Sequence, residues 1–234
     1  MSSGSKPYLF VKHSEHWNVD RCTRWMEKNK YVVDWCYPTS DQAFPDAQRY
    51  AGVIVFGGAN SANDCGCHDW VRRELLFVEQ CLKLNTPYFG ICLGAQMLAR
   101  VLGAAVRPHA EEIKEVGFCR VDPEPEHSSF LSEPLTVMQW HSEGFELPPG
   151  TQRIATGDEF PNQAYSLSEK ILGVQFHPEV NAEVLAIWQE RNRLRKPEQF
   201  SDRDRALMMS DAHVHDAAIT QWLDGFLTQW IARP

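Results

Sequence analysis

Apolar runs alternate with helix-patterned stretches through the first hundred residues. Tyr8-Leu9-Phe10-Val11 is unbroken and apolar, which predicts a short strand buried on both faces. Trp17 to Lys30 predicts a helix, Tyr31-Val32-Val33-Asp34-Trp35 a second strand, and Tyr50 to Phe56 a third that ends in Gly57-Gly58. Asp69 to Leu84 has helical spacing, with Trp70, Arg73, Leu76, Phe77, Gln80 and Leu84 spread over its faces. Thr86 to Ile91 reads as another strand and Leu93 to Leu102 as the helix after it. Strand and helix in alternation imply an α/β fold, a mostly parallel central sheet flanked by helices. Ligand sites in such sheets gather at the carboxyl ends of strands. Gly57-Gly58 and Cys92 both fall at expected strand ends.

The pattern changes after Val106. Shorter strands with Pro- and Gly-rich turns, such as Glu146-Leu147-Pro148-Pro149-Gly150, predict antiparallel strands that complete the same sheet. The expectation is a single domain over 1–234, with a core from about 7 to 185 and a helical segment from about 186 to 234. Glu190 to Pro197 is a charged break, read as a solvated helix end, and Ile219 to Ile231 has apolar spacing suited to docking on the core. Trp17, Trp25, Trp35, Trp188, Trp222 and Trp230 are expected in the core or between helices.

Composition narrows the class. Hydrophobic residues make up 43% and charged residues 23%, ordinary values for a globular domain. A net charge of −8 argues against nucleic acid or an anionic membrane as partner. No apolar run is long enough to span a bilayer, and Met1-Ser2-Ser3-Gly4-Ser5-Lys6-Pro7 carries no apolar signal core. Seven cysteines without an export signal read as free thiols, which suits a cytoplasmic location.

Chemistry concentrates in Tyr88-Phe89-Gly90-Ile91-Cys92-Leu93-Gly94-Ala95-Gln96. A cysteine between two glycines, where an apolar strand meets a helix, projects from a sharp turn. A helix N-terminus and a nearby imidazole both favour the nucleophilic thiolate. Most free cysteines are buried structural residues; the flanking glycines and the strand-to-helix position set Cys92 apart. Far downstream lies Gly173-Val174-Gln175-Phe176-His177-Pro178-Glu179. Proline keeps His177 extended, so Glu179 falls on the same side of the chain and can orient the imidazole. Gly57-Gly58-Ala59 follows a strand and can offer backbone N–H groups to an oxyanion, with Leu93 N–H as second donor. Cys65-Gly66-Cys67-His68 and His213-Val214-His215-Asp216 lack further ligands at metal-site spacing and read as a loop and a solvated turn.

These segments, arriving in this order, resemble the class I (triad-type) glutamine amidotransferase family, and in particular its free-standing members similar to the amidotransferase domain of GMP synthase. The resemblance spans roughly residues 50 to 180. It implies the flavodoxin-like fold of that family, Cys92 as nucleophile, His177 as general base and acid, and Glu179 as its orienting carboxylate. It also implies Gly58 and Leu93 as oxyanion donors and Gln96 as a substrate contact. Trp140-His141-Ser142-Glu143 is similar to the family's substrate-recognition turn, usually Ser-His-Gly-Asp, with Glu143 in the place of the acid that receives the substrate's α-amino group. Two departures stand out: Ala59 where Pro is common after the glycine pair, and Ser142-Glu143 for Gly-Asp.

The implied reaction is cleavage of the γ-carboxamide of glutamine through a cysteinyl γ-glutamyl thioester, with no cofactor and no metal. The segment after Glu179 is too short for an ATP-using synthetase and the chain has no phosphate-binding Gly-x-x-x-x-Gly-Lys-[Ser/Thr] loop. A separate synthetase or ligase is therefore the expected recipient of ammonia. Two alternatives use the same residues. One is a γ-glutamyl peptidase acting on γ-glutamyl conjugates, favoured by a roomy pocket around Ala59, Glu143 and the loop from Asp64 to Asp69. The other is a catalytically silent binding subunit.

Overall fold

The computed structural model describes residues 6–14, 18–40 and 42–232. In chain order the elements are β1 (Tyr8–Val11), α1 (Arg21–Lys28), β2 (Val33–Cys36), β3 (Gly52–Val55), α2 (Asp69–Lys83), β4 (Tyr88–Ile91) and α3 (Leu93–Val101). There follow β5 (Val106–Pro108), β6 (Glu115–Pro123), β7 (Leu135–His141), β8 (Glu143–Phe145), β9 (Gln152–Thr156), β10 (Ala164–Ser166) and β11 (Ile171–Val174). Two helices end the chain, α4 (Ala182–Arg195) and α5 (Asp202–Ala232).

One sheet runs in the order β2-β1-β3-β4-β11-β10-β9-β6-β7. The strands from β2 to β11 are parallel, and those from β10 to β7 pair antiparallel. β5 and β8 form a separate antiparallel pair. Strands β1, β3, β4 and β11 are buried on both faces, as their unbroken apolar runs require, while the edge strand β2 is half-buried. Helices α2 and α3 cover one face, where Val71, Phe77 and Leu98 pack on Val53 and Tyr88. Helices α1 and α5 cover the other, where Met26, Leu223 and Trp230 pack on Phe10, Ile54 and Phe89. α3 lies so close to the sheet that a Cβ on Gly94 would stand 2.2 Å from the Val55 carbonyl oxygen. No helix among the described residues is long and apolar enough to cross a membrane.

Several boundaries differ from expectation for local reasons. α1 starts at Arg21, because the Asp20 side chain accepts the Thr23 N–H and caps the helix there; Trp17 lies outside the described residues. Lys30 at φ 61° ends that turn, which delays the next strand to Val33. The buried face of α2 is Trp70, Val71, Glu74, Phe77, Val78 and Cys81, while Leu76 points to solvent. His213 to Asp216 is not a turn but mid-helix in α5, where Asp216 pairs with Arg21 at 2.6 Å and His215 stacks on Phe118. Within Cys65-Gly66-Cys67-His68, Cys65 and Gly66 close a single helical turn, Asp64–Gly66, and Cys67 and His68 link it to α2; the Cys65 sulfur lies 3.9 Å from the Arg100 guanidinium.

The C-terminal helix shares the main core. Trp230 packs against the Tyr8 and Phe89 rings and donates its indole N–H to the Lys170 carbonyl at 3.0 Å. Trp230→Ala is expected to lower the stability of the whole chain by about 3–5 kcal/mol in one cooperative transition. Denaturant unfolding followed by circular dichroism checks this; an early C-terminal step with the main transition unmoved would contradict it.

Candidate active site

β4 ends at Ile91 and α3 begins at Leu93, so the turn between them is one residue, Cys92. Its backbone sits at φ 49°, ψ −103°, a conformation side chains rarely adopt. Holding a non-glycine residue there costs about 1–3 kcal/mol. The conformation turns the thiol out of the sheet onto the floor of a cleft at the carboxyl ends of the parallel strands. The residue is 5% exposed.

β11 runs parallel to β4, with Val174 opposite Ile91, and the chain beyond it passes beside Cys92. The His177 ring stands beside the Cys92 side chain and is coupled to it electrostatically, and its Nδ1 lies 2.8 Å from Glu179 Oε1. Both residues are buried, and the other Glu179 oxygen has no hydrogen-bond partner among the described residues. Burial alone would push the imidazole's pKa down. The Glu179 charge and the adjacent Cys92 outweigh burial and hold His177 up at about 10, against an ordinary 6.5. Trp188 on α4 stands edge-on to the same ring, centroids 4.9 Å apart. It is half-buried, packed against the core cluster beneath α4 and lining the cleft wall as well.

Gly57 and Gly58 cross the cleft next to this pair. A Cβ on Gly57 would fall 2.6 Å from His177 Cε1, and one on Gly58 would fall 2.7 Å from Leu93 Cδ2. Only glycine lets the β3 strand end come this close. Beneath it lies a second buried histidine, His13, with Nδ1 3.0 Å from the Gly57 carbonyl oxygen. Its Nε2 is 3.1 and 3.0 Å from the two Glu74 oxygens. Burial opposes the charged ring, but Glu74 and the Gly57 carbonyl overcome it, so its pKa is raised. Nδ1–H donates to the carbonyl and fixes the peptide plane of the glycine strand.

The opposite wall is the turn between β7 and β8. Gln96 Nε2 donates to the Glu143 carbonyl at 3.0 Å and to Gln175 Oε1 at 3.3 Å. Gln175 Nε2 in turn lies 3.6 Å from Cys92 Sγ. Both ring nitrogens of His141 are used inside the protein, Nδ1 at 3.0 Å from the Glu143 carbonyl and Nε2 at 2.9 Å from Glu115 Oε2. Gln163 Nε2 donates to that same Glu115 oxygen at 2.9 Å. His141 therefore holds the shape of the turn through its own hydrogen bonds, and with Ser142 and Glu143 it lines the cleft.

All nine residues singled out from the sequence as catalytic, oxyanion or substrate groups thus meet around one cleft or directly behind it. His13, Glu74 and Gln175 were missed. One signal existed: Glu74 is a lone carboxylate on the buried stripe of α2, a position that demands a buried partner. Nothing local marks His13 as that partner.

Known proteins resemble this chain in sequence and in fold. The family model "Glutamine amidotransferase class-I" matches residues 12–186. The chain superimposes on a crystal structure of a glutamine amidotransferase from Thermotoga maritima with a TM-score of 0.87 and 27% identity, covering 97% of this chain and 98% of that one. It is 28% identical over 209 residues to gamma-glutamyl peptidase 5 of Arabidopsis thaliana, spanning 85% of this chain and 76% of that one. It is 35% identical over 133 residues to the glutamine-hydrolysing GMP synthase of Bacillus pumilus, 55% of this chain but 24% of that synthase.

The raised His177 pKa carries a sign. The imidazolium form is favoured by folding, so its contribution to stability is full below about pH 6.5 and is lost as pH rises through about 10. NMR titration of the His177 ring is expected to give a midpoint near 10 in the native chain. In Glu179→Gln the midpoint should fall well below that of the native chain, because burial is then opposed by Cys92 alone. Titration near 6.5 in the unmodified chain would contradict the assignment.

Proposed function

The chain belongs to the class I glutamine amidotransferase family, and from that premise we propose that it is a cysteine amidohydrolase cleaving the γ-amide bond of a glutamyl group, with glutamine as substrate. The observation that carries this reading is the Cys92–His177–Glu179 array on the floor of the cleft. The Cys92 thiolate attacks the γ-carbonyl, forming a C–S bond, and backbone N–H groups at Gly58 and Leu93 receive the oxyanion. The C–N bond breaks as His177 passes its proton to the departing nitrogen, releasing ammonia and leaving a γ-glutamyl thioester. Water then gives a proton to His177 and its oxygen to the carbonyl, which releases glutamate and restores the thiolate. Glu179 keeps Nδ1 protonated and the other ring nitrogen aimed at sulfur. Glu143 and Gln96 orient the glutamyl backbone, with His141 and Glu115 supporting the turn. His13 and Glu74 hold the oxyanion strand in place.

Similarity to GMP synthase supports passing the ammonia to a separate synthetase. A second reading, hydrolysis of larger γ-glutamyl conjugates through the same thioester, is favoured by the cleft. Its volume of about 820 Å³ exceeds what one amino acid fills, and it lies in the upper part of the ~300–1,000 Å³ range of small-molecule pockets.

Assay of glutamate and ammonia from glutamine, beside γ-glutamyl peptides, checks both readings with the purified chain. Cys92→Ala is expected to lower turnover of whichever substrate is used by more than about 10³-fold. His13→Phe keeps the ring volume but frees the Gly57 carbonyl, and is expected to lower kcat by about 10–10²-fold with KM little changed. Turnover that survives loss of Cys92 would overturn the proposal, and so would a native chain that turns over neither substrate.

A further inference from the structure

One face of α4 is turned toward the cleft: Trp188, Arg191, Asn192 and Arg195 recur at helical spacing along its wall, and Lys196 continues it. Lys114 lines the cleft as well. These four cations surround the opening of a cleft in a chain whose net charge is −8. Glu143 is the one carboxylate among the described residues that line it. None of the four makes an ion pair among the described residues. The contrast within the helix is informative, because Arg193, which does not line the cleft, is paired with Asp202 at 3.0 Å.

Arg191 spends one N–H on Ser14 Oγ at 2.8 Å, and burial together with Arg195 lowers its pKa. Like charges crowded at a cleft mouth without counter-charges are unfavourable until an anion enters. With the reacting carbonyl at Cys92 and the glutamyl backbone held by Glu143 and Gln96, as in the function proposed above, the leaving-amine half is the part of the substrate left to extend toward α4.

We propose that the outer cleft is a carboxylate-binding subsite that selects γ-glutamyl compounds whose amine portion is an amino acid or peptide, anionic at its end, over glutamine and over γ-glutamylated neutral or cationic amines. This rests on the second reading above, and the chemistry is unchanged: His177 protonates the leaving nitrogen, which departs as an amino acid or peptide in place of ammonia. Several partly screened cation–carboxylate contacts together support a preference of about tenfold or more.

The test compares kcat/KM of the full chain for γ-glutamylglutamate, γ-glutamylmethylamide, γ-glutamylputrescine and glutamine at low and high salt. Expected is a ratio of about tenfold or more for the dianionic amine half over the neutral methylamide, with the putrescine derivative poorest. The ratio should shrink with salt and approach one in the double variant Arg195→Glu, Lys196→Glu, whose substituted positions are solvent-exposed. Cleavage of all four with no charge preference would overturn the subsite while leaving the hydrolase intact, and would assign the cations to an acidic macromolecular partner. A preference that survives both salt and charge reversal would also overturn it. Absence of any cleavage, with no acyl group formed on Cys92, would overturn subsite and hydrolase together.

Discussion

A single residue joins β4 to α3, and its side chain has to face the cleft. That constraint organises the centre of the molecule. The positive φ at Cys92 is held because both flanking elements are locked, β4 between β3 and β11 and α3 against the sheet at Gly94. The same parallel pairing that holds β4 sets β11 in register, and so delivers His177 and Glu179 to the thiol from a distant part of the chain. A slip of one residue in β11 would turn its side chains to the opposite face. Site and sheet register are therefore one structural fact.

Buried charge is the second theme. Two histidine–glutamate pairs lie inside the protein near the cleft, His177 with Glu179 and His13 with Glu74, and a third joins His141 to Glu115. Each supports one wall: the Cys92 turn, the glycine strand and the turn between β7 and β8. Burying such pairs is not an efficient route to stability, because desolvation offsets their attraction. What they supply is geometry, fixing ring orientation and peptide planes where reacting atoms must meet. At the rim the logic reverses, and Arg191 and Arg195 of α4, which line the cleft, make no ion pair among the described residues.

Short-range chemistry made much of this readable from sequence. The glycine-flanked cysteine, the proline after His177 and the apolar runs of β1, β3 and β4 each carry a local signature, and each stands where it was expected. The antiparallel extension was foreseen as a class but not in its order, since β6 pairs with both β7 and β9 across long separations. His13–Glu74 was invisible because its members meet only through tertiary packing. The misreading of His213 to Asp216 has a different cause. Histidine and aspartate suggest a turn by propensity, yet α5 is held helical by Ile219, Leu223, Leu227 and Trp230 packing on the sheet. Trp188 packs against the core as expected, but its second place on the cleft wall was not legible, because aromatic spacing on a helix does not distinguish core from cleft wall.

The central claim is that the acyl group passes through sulfur at position 92. Acid quench during turnover of a γ-glutamyl substrate, followed by digestion and mass spectrometry, reads this directly. The expected result is a γ-glutamyl adduct on the peptide holding Cys92, labile to hydroxylamine. Glutamate released with no adduct there, or with an adduct on any other cysteine, would contradict the account.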